Sequence, residues 1–177
     1  NSTIHTSIIQ NVARVFLSSP DDSWNMLQEM NADYVLVFVA GERIEGTYDG
    51  KQVFYVRHGG DESKIQWFVR ISELPTEKFL DSSHPNNYFW NETLLGKLIP
   101  FSIVTYYDAK LQTASDVYQP GTLPISVKEI KYTDSKNDPL WLVYASPSFY
   151  DETSESMTGV FIYEINKNYI PINNSIP

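Results

Sequence analysis

The first thirty residues carry apolar positions at the spacing of two helices. Residues 4–17 place isoleucine, valine and phenylalanine three and four apart, which is the period of one helical face. The residues that follow favour a helix start, because Ser19 can cap it, Pro20 suits its first position and two aspartates come next. We predict helices over 4–17 and 20–30, the second ended by Asn31, which tolerates the left-handed conformation.

A strand and a hairpin are predicted after these helices. Residues 34–39 are β-branched, aromatic or aliphatic on both faces, which is typical of a strand buried at the centre of a sheet. Farther along, Asp49 and Gly50 form a dipeptide that favours a tight turn, between flanks that can extend. The pattern therefore predicts a buried strand at 34–39 and a hairpin near 43–56.

Helical spacing returns in the middle of the chain. Residues 61–74 place apolar side chains on one face before Pro75 stops the pattern, and residues 90–99 repeat this spacing. The intervening residues 75–88 are rich in Ser, Asn, Asp and Pro, which favour turns. We predict two helices joined by a loop.

The last third of the chain contains short β-rich runs separated by polar turns, at 125–132, 140–145 and 159–165. Such runs are typical of an antiparallel sheet. We therefore expect an α+β fold, with a helix-rich core around a short buried sheet over residues 1–112. An antiparallel β region over 113–177 is expected to complete a single soluble domain, 1–177.

Length and charge limit what the chain can bind. Its 177 residues are enough for one self-sufficient core. The formal net charge of −9 disfavours nucleic acid as a partner, because contacts to phosphate need clustered Lys and Arg. The longest apolar run, 34–40, is far shorter than the roughly 20 residues of a membrane helix. Because the chain starts at Asn1 rather than Met, we expect a piece of a longer protein.

Residue types that usually build catalytic or metal sites are scattered. His5, His58 and His84 lie far apart without the spacing of zinc ligands, so no metal site is expected. The chain has no cysteine, no nucleophile elbow and no phosphate-binding glycine loop, so no catalytic residue is expected either. Three Asn-x-Ser/Thr sequons, which would permit an extracellular location, begin at Asn1, Asn91 and Asn173.

One segment, residues 61–68, points to a function. On a helix, Asp61 and Lys64 are three apart, and Lys64 and Phe68 are four apart, so the three side chains share one face. From spacing alone, a surface ion pair worth about 0.2–0.5 kcal/mol beside one buried aromatic is the better interpretation. A family resemblance favours a functional interpretation instead.

The segment resembles the DxxK motif of oligosaccharyltransferase catalytic subunits. In that motif an Asp, a Lys three residues later and a Met or Ile four after that lie on a helix. Three further blocks are similar in order and approximate spacing, at residues 1–5, 31–37 and 91–99. The resemblance covers roughly residues 1 to 105, and the long segment between Gly41 and Val56 points to an archaeal member.

The resemblance implies an activity of a larger parent protein. In the family, the acceptor asparagine of an Asn-x-Ser/Thr sequon attacks a lipid-linked oligosaccharide, assisted by Mn²⁺ or Mg²⁺ and acidic residues in a membrane-embedded half. The implied partners are the acceptor peptide and, through the membrane half, the lipid-linked oligosaccharide. This chain would be the C-terminal soluble domain, on the extracellular side of the cell membrane. It would bind no metal and would be inactive by itself.

The resemblance also implies roles for the three residues of the motif. They would help to bind the Ser or Thr two positions after the acceptor asparagine, the +2 residue. Asp61 would orient Lys64 or support the pocket wall, and Lys64 would lie near the +2 residue. Phe68 would form an apolar wall where the family has Met or Ile, so the pocket keeps its hydrophobic character while its shape changes.

Two other classes of function stay open. The aromatic content of 14%, the acidity and the β-rich end also suit a non-enzymatic extracellular module, either sugar-binding or from a surface layer. A periplasmic-type binding or scaffold role is a third possibility. The parent reading frame distinguishes them, since many membrane spans upstream would favour the enzyme and a signal peptide with similar modules would favour the rival.

Overall fold

Residues 2–56 and 60–172 are described in a computed structural model of the protein. In these residues five α-helices form: α1 (Ser2–Leu17), α2 (Pro20–Glu29), α3 (Ile65–Ser72), α4 (Asn87–Glu92) and α5 (Leu94–Leu98). The strands of the same part of the chain are β1 (Tyr34–Tyr48), β2 (Lys51–Val56), β3 (Leu80–Asp81), β4 (His84–Pro85), β5 (Phe101–Asp108), β6 (Thr113–Ser115), β7 (Leu123–Lys128), β8 (Leu140–Ala145) and β9 (Ser156–Ile165).

A seven-stranded antiparallel sheet organises the fold. Its strand order is β6-β5-β7-β2-β1-β9-β8, and each neighbouring pair is antiparallel. Within the part of the chain that the structure describes, strands β3 and β4 pair only with each other. Strand content, at 36%, exceeds the helical content of 31%. The sheet draws strands from both halves of the chain, and the expected boundary between residues 112 and 113 lies between β5 and β6.

The predicted helix-rich core around a short buried sheet is therefore wrong. Strand β1 runs for 15 residues, through positions that the sequence assigned to a buried strand and one arm of a separate hairpin. Strand β5 forms where no strand was predicted. The C-terminal strand β9 pairs with β1 from Tyr34↔Glu164 to Glu42↔Ser156, so it belongs to the same sheet as the N-terminal strands. The period of apolar residues along a segment shows that the segment can form a strand. The pairing of strands more than a hundred residues apart depends on the whole core.

The turn between β1 and β2 confirms the predicted hairpin. Asp49 and Gly50 have φ values of 49° and 73°, and positive φ at both central positions is what a two-residue hairpin turn of type I′ requires. The register shifts between Arg43 and Thr47, and the Gln52 side-chain amide donates to the Ile44 carbonyl at 2.6 Å across this irregular stretch. Local residue preferences thus form the turn, and the Gln52 amide, which also donates to the Gly46 carbonyl at 3.1 Å, stabilises the irregular stretch of the hairpin.

The helix boundaries follow their capping residues. The Ser19 side chain accepts a hydrogen bond from the Asp22 backbone N–H at the start of α2, as predicted, and Asn31 follows the helix with φ 52°. The single helix predicted at 90–99 is instead split into α4 and α5. Thr93 has extended backbone angles at the break, and its hydroxyl accepts from the Gly96 N–H at 3.1 Å to cap α5.

The helices and the sheet share one apolar core. Val37, Val39 and Phe161 are completely buried, and the hydroxyl of buried Tyr163 donates to the Leu98 carbonyl at 2.7 Å, which joins β9 to α5. In the first part of β1 the burial alternates, and Tyr34 and Leu36 are 59% and 54% exposed. The expectation that this strand is buried on both faces is therefore wrong, because one face of the β1-β9 pair lies open.

No helix within residues 2–56 and 60–172 has both the length and the apolar character needed to cross a membrane.

Candidate functional site

Asp61 begins residues 61–68, the motif segment, and joins this segment to the sheet. The chain leaves β2 after Val56, whose partner on β1 is Gly41, so β2 does not accompany the earlier residues of β1. One Asp61 oxygen, Oδ2, accepts a hydrogen bond from the Phe38 backbone N–H at 2.8 Å. The carboxylate therefore takes the place of a strand partner at this point of the sheet.

Lys64 completes the acid and base pair that the sequence predicted. Residues Asp61–Lys64 form a 3₁₀ turn rather than the first turn of an α-helix, and α3 begins at Ile65. The Lys64 Nζ donates to Asp61 Oδ1 at 3.1 Å, so both oxygens of the carboxylate are engaged. The Asp61 side chain is 18% exposed and that of Lys64 is 54% exposed, so the pair lies at the surface, where ion pairs contribute about 0–1 kcal/mol.

Phe68 is directed towards α1. Its half-buried ring stacks on Phe16, with centroids 5.5 Å apart and planes 26° from parallel. The same pair of helices is joined by the Arg14 Nε–H, which donates to the Ser72 carbonyl at 3.0 Å. The structure thus brings Asp61 and Lys64 together, while Phe68 forms part of the packing between α1 and α3.

A cavity lies beside the same helix but on a different side. Its volume is about 300 Å³, and neither Asp61, Lys64 nor Phe68 lines it. Its walls come from the end of β2, from the 3₁₀ turn and α3, from the β3–β4 segment, from α4 and from the start of β7. The lining residues are Tyr55, Val56, Ser63, Ile65, Gln66, Trp67, Leu80, Ser83, His84, Pro85, Trp90, Thr122, Leu123 and Pro124.

The sequence interpretation missed this cavity, because no short pattern joins its walls. His84 was not expected to belong to a metal site. It lines the cavity and stacks on Tyr118, with centroids 5.0 Å apart, and its Nδ1 is 2.7 Å from the Tyr118 hydroxyl. The only sequence signal was a general one, the high aromatic content, which core packing also explains.

Tyrosines next to the cavity stay protonated over a wide pH range. Burial, followed by the negative charge of Asp81, raises the pKa of Tyr106 to about 12. The same two causes, in the same order, raise the pKa of Tyr118. Tyr106 donates its hydroxyl hydrogen to Asn87 Oδ1 at 3.2 Å. These hydroxyls act as neutral hydrogen-bonding groups and not as phenolates.

A second, more polar cavity of about 250 Å³ lies against β5. It shares Trp90 with the first cavity, and its polar lining residues include Asn87, Asn91 and Asp116.

One sequon lies within the described residues. Asn91 is exposed on α4, but Thr93 is completely buried, and its hydroxyl donates to the Phe89 carbonyl at 2.7 Å while capping α5. The sequon threonine therefore serves the local structure of the folded chain. The sequons at Asn1 and Asn173 fall outside the described residues.

The structure bears on part of the predictions about metal sites and histidines. Across the described ranges 2–56 and 60–172, no group of three or more His, Asp or Glu side chains could hold a metal ion. His58 lies outside these ranges.

No protein-family model matches this chain, and no curated protein matches it. The resemblance to the DxxK motif therefore depends on the residues of the chain itself.

Proposed function

We propose that this chain is the C-terminal domain of an archaeal oligosaccharyltransferase catalytic subunit, which transfers a lipid-linked oligosaccharide to asparagine in Asn-x-Ser/Thr sequons. In this proposal the domain faces the extracellular side of the cell membrane and contributes Asp61, Lys64 and Phe68 to recognition of the +2 residue. The metal ion, Mn²⁺ or Mg²⁺, and the catalytic carboxylates belong to the membrane half of the parent. The proposal rests on the resemblance of residues 61–68 to the DxxK motif.

The structural observation that carries this proposal is the ion pair between Asp61 and Lys64. The Asp61 carboxylate is held by the Phe38 N–H at 2.8 Å, and it in turn holds the Lys64 Nζ at 3.1 Å. Because the Lys64 side chain is 54% exposed, its ammonium keeps hydrogen atoms available for a ligand. This arrangement suits a motif whose acid positions its base.

The roles differ in how directly they would involve the peptide. Lys64 would donate a hydrogen bond to the peptide near the +2 residue, and Asp61 would act as a positioning residue. Phe68 would provide apolar surface, although its stack on Phe16 means that only part of its ring is available. A bound threonine hydroxyl would contribute about 0.5–1.5 kcal/mol and its buried methyl about 0.8 kcal/mol, so roughly a fourfold preference for Thr over Ser is expected.

The decisive experiment is Lys64→Ala in the full-length parent enzyme. Loss of a charge-assisted hydrogen bond, worth about 1.5–3 kcal/mol, should reduce glycopeptide formation about tenfold or more. Lys110→Ala is the matched control, because Lys110 is also exposed and lies in the turn between β5 and β6. If the folded Lys64 variant keeps activity within about twofold of the wild type, residues 61–68 have only a structural role.

The isolated chain provides a second test. Mixed with lipid-linked oligosaccharide, sequon peptide and Mn²⁺, it should form no glycopeptide, because the catalytic groups belong to the membrane half. Glycan transfer by this chain alone would contradict the proposed division of roles.

A further inference from the structure

The cavity beside α3 has an aromatic rim and an aromatic floor. Trp67 lines it from α3 with 60% of its residue surface exposed, whereas Trp90 lines it from α4 and is only 7% exposed. The Arg70 guanidinium carbon lies 5.9 Å from the centroid of the Trp67 ring, so this exposed indole is partly engaged within α3 and keeps the rest of its surface towards solvent. At about 300 Å³, the cavity is at the lower end of the range for small-molecule sites.

Among the described residues that line this cavity, none is Asp, Glu, Lys or Arg. This is notable in a chain with 35 such residues, 13 basic and 22 acidic. A charged ligand would lose its hydration among these lining residues, which is costly, and two charged groups outside the lining, Arg70 over the Trp67 ring and Asp81 on β3, are of opposite sign and favour neither ligand charge. The lining therefore favours an uncharged ligand with one apolar face.

Neutral hydrogen-bonding groups accompany the rings. Gln66 donates from Nε2 to the Ser83 carbonyl at 2.8 Å, and no described residue bonds its side-chain oxygen. The His84 Nδ1 lies 2.7 Å from the Tyr118 hydroxyl and 3.2 Å from the Ser83 hydroxyl, and its Nε2 has no hydrogen-bond partner in the described part of the chain. If Tyr118 donates to Nδ1, His84 presents an N–H donor at Nε2. The cavity thus combines ring surfaces with an unused amide oxygen and an unused imidazole nitrogen.

The walls do not favour an added peptide strand. A peptide that extends a sheet binds mainly through backbone hydrogen bonds to an exposed strand edge. Two positions in the cavity wall, Pro85 on β4 and Pro124 on β7, have no backbone N–H to donate. The exposed Leu123, the first residue of β7, adds apolar surface rather than polar groups.

We infer that this cavity is a binding site for the ring of an uncharged saccharide. The axial C–H groups of a pyranose would pack on the Trp67 indole, whose face carries the negative part of the ring quadrupole. Its hydroxyls would pair with Gln66 and His84, and Trp90 would form the floor. The site lies on a different side of α3 from Asp61, Lys64 and Phe68, so it goes beyond the sequon recognition proposed above and does not depend on it.

The four tryptophans allow a direct test on the 177-residue chain. Trp67 and Trp90 line the cavity, whereas Trp24 and Trp141 do not. We expect methyl glucoside or N-acetylglucosamine, titrated to high millimolar concentration, to shift the indole N–H NMR signals of Trp67 and Trp90 with saturation. The signals of Trp24 and Trp141 should stay in place. The Trp67 signal is identified as the one that disappears in Trp67→Ala.

Variants and charged sugars make the test specific. Trp67→Ala should weaken the sugar affinity, measured from the saturable shift of the Trp90 signal, about fivefold or more. Tyr144→Ala removes an exposed aromatic side chain on β8 and should leave this affinity unchanged. Glucuronate and glucosamine should both bind more weakly than the neutral sugars. The inference would be overturned if neither neutral sugar gave a saturable shift, or if all four indoles shifted equally. It would also be overturned if Trp67→Ala bound the sugar as tightly as the unchanged chain, or if a charged sugar bound more tightly.

Discussion

Asp61 and Phe38, 23 residues apart in the chain, are joined by a hydrogen bond of 2.8 Å from the Phe38 backbone N–H to the Asp61 carboxylate. This bond fixes the start of the motif segment to β1. The same carboxylate holds Lys64, so one acid serves both the fold and the proposed peptide site.

Substitutions of Asp61 should separate these two roles. Asp61→Asn keeps an acceptor for Phe38 and removes only the ion pair, so a loss of unfolding free energy of at most about 1 kcal/mol is expected. Asp61→Ala leaves the Phe38 N–H without its acceptor and should cost about 1–3 kcal/mol. Urea denaturation measures both. If the two variants are equally stable, the bond to Phe38 does not contribute as described.

Substitutions of Phe68 test the apolar wall. Phe68→Met restores the residue type of the family motif with similar volume, so we expect less than about 1.5 kcal/mol of destabilisation. Phe68→Ala removes the stack on Phe16 and should cost about 2–4 kcal/mol, somewhat less than for a fully buried ring. Thermal unfolding of the isolated chain measures this. In the full-length parent, glycopeptide formation should survive the Met change and fall with Ala, and the opposite order would contradict the proposed wall.

Lys131 should make stability depend on pH. Its Nζ donates to the carbonyls of Ile99 and Phe101, at 2.8 and 2.6 Å, and burial lowers the pKa of Lys131 from its ordinary value of 10.5 to about 8. Between these two values the unfolded chain binds more protons than the folded chain, so stability rises with pH. The expected gain is about 1 kcal/mol between about pH 7 and 9.

The measurement is urea denaturation across that range, kept below the pH at which tyrosines ionise in the unfolded chain. Lys131→Met should lose most of the pH-dependent gain, while Lys110→Met, at an exposed position, should retain it. Equal slopes for the two variants would show that another group causes the dependence.

Gly41 illustrates how the long strand fits its core. A Cβ at Gly41 would lie 2.8 Å from Cζ of the Phe101 ring, closer than atoms in contact can approach. Gly41→Ala should therefore cost about 1–3 kcal/mol, because Phe101 is completely buried and has little room to move. Gly159→Ala on β9 is the milder comparison, since its Cβ would meet Ser146 at 3.2 Å. Equal thermal stability of the two variants would contradict this ranking.

Local features of the fold could be predicted because their causes lie within a few residues. The Asp49-Gly50 turn, the Ser19 cap and the left-handed Asn31 all follow from backbone preferences and short-range hydrogen bonds. Strand β8 forms over the predicted residues 140–145, where aromatic and β-branched residues favour a strand, although its hydrogen-bonded partner is β9. In the candidate site, the contact between Asp61 and Lys64 was predictable, since residues three apart meet on one face of a helix.

Tertiary structure alone decided the seven-stranded sheet, the direction of Phe68 and the cavity beside α3. The sheet needs β1 to pair with β9, and the cavity needs walls from β2, α3, β4, α4 and β7. Phe68 turns towards Phe16 because α1 packs on α3. Such arrangements depend on the free energy of the whole core, which must offset the entropy of closing long loops, and no short sequence period carries that information.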